Sequence, residues 1–119
     1  MELITHTIAK KWLAAFNEHN LEKLLALYSD VALHYSPKLK IRKPETNGLI
    51  SGKPAMRLWW QEAFDRLPGL QYHEQSIIAN EERVFIEYKR TVPGEVDMFV
   101  AEMLEIKDGL IIKSRVYHG

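Results

Sequence analysis

Glu102 interrupts the run MFVAEMLEI at residues 98–106. In an extended chain, alternate side chains share a face, so Glu102 lies with Val100, Leu104 and Ile106, and Glu105 lies on the opposite face. A carboxyl among aliphatic neighbours loses hydration, and its pKa rises towards the range useful for proton transfer near neutrality. His118 falls on the same kind of face of the next extended run, with Ile112, Ser114 and Val116, and an imidazole titrates in that range too. Tyr88 shares a face with Val84, Ile86 and Arg90 and brings a hydroxyl that can donate to a developing oxyanion. Glu102 and His118 are therefore the candidate acid–base pair. The competing structural reading makes Glu102 an acid satisfied by Arg90 or a tyrosine, and His118 an exposed group beside the chain end.

These residues meet only if the strands pair in one register. A three-residue connection at Pro93-Gly94-Glu95 sets Ile86 opposite Glu102. A second at Asp108-Gly109-Leu110 sets Glu102 opposite Val116. His118 is then the diagonal neighbour of Glu102, at about 7–8 Å between Cα atoms. Further candidates to line a pocket are His34 and Ser36, which share a strand face, and Trp12, Trp60, Tyr72, Val116 and Arg90. For the tryptophans, including Trp59, helical spacing also fits a plain core role. Tyr28 and Tyr72 are expected half-buried, with hydroxyls towards polar partners.

The elements that must position them follow from periodicity. Ile8, Trp12, Ala15 and Phe16 recur at helical spacing, as do Leu21, Leu24, Leu25 and Tyr28, and Asn20 suits the N-cap between the two helices. Residues 31–36 read as a strand stopped by Pro37. Pro54 opens a third helix, with Met56, Trp59, Trp60, Ala63, Phe64 and Leu67 on its apolar face and Pro68-Gly69 after it. Strands follow at 72–79, 84–92, 96–107 and 110–118. Helices first and strands after predict an α+β domain over residues 1–119. The basic stretch Lys38, Lys40, Arg42 and Lys43 reads either as a solvated hairpin with protective edge lysines or as a lid that attracts an anion.

Three segments carry a family resemblance: WLAAFNEHNLEKLLALYSDVALHYSP at 12–37, GKPAMR at 52–57 and IKDGLIIKSRVY at 106–117. Together they resemble the nuclear transport factor 2-like superfamily, in its SnoaL-like and ketosteroid-isomerase-like branches. The resemblance implies a cone-shaped, cystatin-like roll, in which three helices and a strongly curved, mostly antiparallel sheet enclose a pocket. It also implies frequent homodimers. The residues that work in those relatives correspond here to Trp12 in place of a tyrosine, Ser36 and Val116 in place of aspartates, and Glu102 as the one acid kept. That pattern weighs against the mechanism of the ketosteroid isomerases themselves.

Composition bounds the rest. Lys plus Arg and Asp plus Glu both number 16, for zero net charge, so the basic footprint of a nucleic-acid binder is missing. With no cysteine there is no disulfide and no thiolate metal site. None of the five histidines stands at i, i+2 or i, i+4 from another, and no Gly-rich phosphate loop or Gly-x-Ser-x-Gly elbow occurs, so neither metal nor cofactor is expected. No signal segment or membrane-spanning run is visible, and the cytoplasm is the default location. Outward-facing Phe85, Ala101, Met103 and Tyr117 predict a homodimer through the outer sheet face. Two functions stay open: a cofactor-independent isomerase, lyase or cyclase acting on a small, mostly apolar molecule, and a non-catalytic ligand-binding or dimerisation domain.

Overall fold

A computed structural model describes residues 2–118. Helix α1 (Ile4–Asn17) buries Ile8, Trp12, Leu13 and Phe16. It stops where His19 takes a left-handed φ of 52°. Asn20 then caps α2 (Leu21–Ala26), its side chain accepting from the Lys23 N–H at 3.0 Å. Tyr28, expected at the end of that helix, instead begins strand β1 (Tyr28–Tyr35).

The basic stretch is not a hairpin. Ser36 ends the strand early and caps a short helix, α3 (Pro37–Arg42), accepting from the Lys38 N–H at 3.2 Å. Pro37 suits the first helical position because its missing N–H would be unpaired there anyway. Leu39 is the buried anchor of this turn. A 3₁₀ turn (Pro44–Thr46) and a short strand β2 (Leu49–Ser51) lead into α4 (Lys53–Arg66). Among the described residues there are thus four α-helices where periodicity gave three; six residues are too few to show a helical period.

Strands β3 (Gln71–Ala79), β4 (Arg83–Thr91), β5 (Met98–Lys107) and β6 (Leu110–His118) complete a six-stranded sheet in the order β2-β1-β6-β5-β4-β3. Only the β1–β6 pair is parallel. The expected pairs Ile86–Glu102 and Glu102–Val116 are present. The connections that produce them differ from expectation. Strand β5 starts at Met98 rather than at residue 96, and Val96 stands exposed in the loop. The β5–β6 turn has two central residues, Asp108 and Gly109, both at positive φ, the geometry of a tight twisted hairpin. That turn alone would shift the pairing by one residue. A bulge at Ile112, which faces no residue of β5, restores it. Ile111, not Ile112, is therefore the buried residue, while Ser114 and Val116 keep their predicted face.

The core lies between α1, α2, α4 and the concave sheet, around Trp12, Tyr28, Met56, Ile86 and Leu104. Asn17 ties α1 to the sheet: its amide donates to the Tyr72 carbonyl at 2.8 Å and accepts from the Tyr72 N–H at 2.7 Å. Among the described residues no helix is long and apolar enough to cross a membrane.

Candidate functional site

One end of this core is open. A cavity of about 70 Å³ lies between α4 and the inner sheet face, with Glu102, Tyr88 and His34 at depth and Lys38, Arg66 and His118 at the more exposed end. It holds a few waters or one small functional group. A wider depression of about 650 Å³ at Leu3, Ala79, Asn80, Glu81 and Glu82 is open surface bearing no convergent donor set.

Glu102 is 2% exposed. It is held on β5 between Ile86 of β4 and Val116 of β6. The Tyr88 hydroxyl donates to its Oε1 at a long 3.3 Å. Its Oε2 is buried with no hydrogen-bond partner among the described residues. Burial pushes the carboxyl up to about 8, and the Tyr88 hydrogen bond offsets this only in part. Near pH 7 the group is therefore largely a neutral acid.

The imidazole nearest to it is His34, not His118. His34 Nδ1 lies 4.0 Å from Glu102 Oε2. That distance suggests an ion pair, but burial drives the imidazole down to about 3 while it drives the acid up, so both partners are neutral. A directed hydrogen-bond chain fixes the ring. Trp12 Nε1–H donates to the Tyr28 hydroxyl at 3.2 Å, which donates to Ser114 Oγ at 3.1 Å, and Ser114 lies 2.7 Å from His34 Nδ1. An indole can only donate, so Trp12 donates to Tyr28 and Tyr28 to Ser114, while between Ser114 Oγ and His34 Nδ1 the ring's tautomer sets which atom donates. With Ser114 donating, the ring proton sits on Nε2. Trp60 packs edge-on against the same ring at 5.1 Å.

The other predicted positions divide. Tyr72, Tyr88, Trp59, Trp60, Ser36, Val116 and Arg90 line the cavity. Tyr72 and Tyr88 stack at 4.2 Å and form an aromatic wall; burial raises both phenols, so they stay protonated donors. Trp12 does not line the cavity; it lies behind that wall, 5.8 Å from each tyrosine ring, and acts through Tyr28. Tyr28 is wholly buried rather than half-buried. His118 reaches only the mouth and makes no hydrogen bond to Glu102. Its pKa is lowered by burial and by Lys38 and Arg90, opposite to the rise expected from a neighbouring carboxylate. Arg90 pairs with Glu95 at 2.9 Å, leaving Glu102 to the tyrosine. Sequence reasoning missed the linking role of Ser114 and Tyr28, and Arg66 altogether. Ser114 stood on the predicted inner face of β6; nothing local marked Arg66. Among the described residues no group of three or more His, Asp or Glu is placed to hold a metal.

Known proteins share this architecture. Residues 9–114 match the SnoaL-like domain model. No curated protein matches the chain. A SnoaL-like protein of unknown function from Burkholderia thailandensis superposes with a TM-score of 0.88 at 23% identity, covering 98% of this chain and 94% of that one. A Kribbella flavida protein provisionally assigned as a ketosteroid isomerase gives 0.80 at 20%, covering 98% and 78%. A protein of unknown function with a cystatin-like fold from Methylobium petroleophilum gives 0.79 at 19%, covering 98% and 76%. At these identities the structural matches establish the fold alone.

Proposed function

The chain belongs to the SnoaL-like domain family, within the nuclear transport factor 2-like superfamily, and on that premise we propose that it is a cofactor-independent acid–base enzyme. Glu102 takes a proton from a carbon beside a carbonyl and returns it elsewhere on the same small molecule. The observation that carries this reading is the partnerless Oε2 of Glu102, buried beside a cavity. Leaving such a group unsatisfied costs about 1–3 kcal/mol. An acid that destabilises the fold where it stands is accounted for by what it does to a ligand.

A pKa of about 8 lets one carboxyl serve as base and then as acid near neutrality. Charge that develops on the carbonyl oxygen meets His34 Nε2–H, and the Tyr88 hydroxyl once its one proton turns from Glu102 Oε1 to the substrate. This role needs the His34 tautomer in which Ser114 donates to Nδ1 and Nε2 carries the proton. His118, first expected as the partner of Glu102, stands aside at the mouth. Returning the proton to another atom of the same molecule gives the product of an isomerase; the same enolate expelling a group from the β-carbon gives that of a lyase, and attacking a carbonyl within the molecule, with the proton returned to the new alkoxide, gives that of a cyclase.

The test works without identifying the substrate. Small enolisable ketones and lactones in deuterated water are followed by proton NMR for exchange beside the carbonyl. The expected result is exchange accelerated by wild type and about 10²–10⁴-fold slower with Glu102→Gln. Equal exchange with both proteins, or none with either, contradicts the reading.

The small cavity volume favours a second reading, a pocket that holds a ligand without turning it over. Under it, Glu102→Gln leaves ligand affinity intact and no exchange is seen with any compound. Either way we propose a homodimer through the outer sheet face, where Phe85, Phe99 and Tyr117 are exposed. Met103, expected exposed there, is covered by its own neighbours.

A further inference from the structure

Three cations from three separate elements converge on the cavity mouth: Lys38 at the start of α3, Arg66 at the end of α4 and Arg90 near the end of β4. The whole chain is neutral, so this is a local concentration and not a reflection of composition. Lys38 is half-buried, Arg90 is 6% exposed and Arg66 is open to solvent. The cations act on one another. Lys38 is held below its ordinary pKa by burial and then by Arg90, with Glu95 opposing and Arg66 and Arg42 adding to it. Arg66 is lowered by burial, with Arg42 and Arg90 adding to it and Glu62 and Glu95 opposing. Counter-charge is scarce. Glu62 is within reach of Arg66 but pairs with Lys43 at 3.4 Å. Glu95, exposed in the β4–β5 loop, is the one carboxylate among the described residues that binds a rim cation, at 2.9 Å from Arg90. Lys38 and Arg66 form no ion pair among the described residues.

Building on the proton-transfer reading, we propose that Lys38, Arg66 and Arg90 form a carboxylate-binding rim, so that the substrate is a small keto acid whose carboxylate stays at the mouth while its enolisable ketone end reaches Glu102. The geometry supplies both halves. Trp59, Trp60, Val100 and Val116 line the wall beneath the rim, and the volume at depth admits only a small ketone-bearing end. Glu95 already shows which group Arg90 accepts. A ligand carboxylate would displace Glu95 or share the guanidinium with it while gaining Lys38 and Arg66, which have no carboxylate partner among the described residues. Partly buried charge-assisted contacts of this kind are stronger than those on open surface. The rim also sorts ligands: the neutral amide of the same acid meets the same wall with no charge to offer.

The probes are benzoate and benzamide, with binding read by calorimetry and by tryptophan fluorescence. Wild type is expected to bind benzoate about tenfold more tightly than benzamide, the worth of one good charge-assisted contact. Lys38→Ala and Arg66→Ala should each remove most of that preference while leaving benzamide affinity unchanged, which also shows that the pocket is intact. Glu95→Gln should act in the opposite sense and tighten benzoate. Equal affinity for the two probes, no binding of either, or a preference untouched by Lys38→Ala and Arg66→Ala overturns the rim. Inorganic phosphate competing as strongly as benzoate overturns it too, because a bare anion would then suffice. The readout is binding, so a silent rim leaves Glu102 as a proton carrier, and a Glu102→Gln protein that retains exchange leaves the rim standing.

Discussion

Glu102 and His34 make opposite demands on pH. The acid is raised from 4.5 to about 8, so the folded state holds a proton that the unfolded chain releases. Its contribution to stability is fully present below pH 4.5 and is lost as pH rises towards 8. The imidazole is lowered from 6.5 to about 3, so its contribution is present above 6.5 and is lost as pH falls towards 3. Between 4.5 and 6.5 the two slopes offset each other. Above 6.5 only Glu102 acts, and the melting temperature should fall as pH rises to about 8, reflecting a loss on the order of a few kcal/mol. Glu102→Gln should flatten that limb while leaving the acid limb in place. A wild-type melting temperature that does not change from about pH 6.5 to 8.5 would argue against a buried neutral acid. The face of Glu102 was legible in the sequence because strand alternation is local. Its neighbours were not: Tyr28 and Ser114 lie 86 residues apart in the chain, and only the parallel β1–β6 pairing brings them and His34 together. The surroundings of His118 were not legible for a related reason, since they come from Lys38 on α3 and Arg90 on β4.

Between β5 and β6 the turn and the bulge act together. Asp108 and Gly109 take φ of 53° and 78°, and Ile112 is the extra residue that returns Ser114 and Val116 to the inner face. A Cβ on Gly109 would meet nothing within 4 Å, so substitution there is opposed by backbone conformation alone. Gly109→Ala should therefore lower stability by about 1 kcal/mol. In urea titrations this appears as a shifted midpoint with an unchanged slope. No shift would mean that the tight turn does not hold the register. The sequence placed the correct pairs opposite one another by way of the wrong loop, because a three-residue loop and a two-residue turn plus a bulge yield the same pairing beyond the bulge. Helix α3 was out of reach of periodicity altogether. It forms because Ser36 and Pro37 start it and Leu39 anchors it, which are capping and packing effects with no repeating pattern.

At the scale of the whole molecule, the cavity mouth is polar and the outer sheet face exposes aromatic side chains. Helices before strands, turn residues between them and a neutral composition made the α+β class readable, and the three family segments made the roll readable. The exposed Phe85, Phe99 and Tyr117 on the outer sheet predict a dimer mass in light scattering at micromolar concentration. Phe85→Glu should shift it towards the monomer without altering the exchange of small carbonyl compounds. A monomer for wild type would contradict the interface. Fold, cavity and cationic mouth all converge on the buried acid Glu102. Its ionisation can be followed directly through the side-chain carboxyl resonance by carbon-13 NMR, with Glu102→Gln identifying the signal. The expected titration midpoint lies near 8. A midpoint near the ordinary 4.5 would contradict a neutral, proton-carrying Glu102.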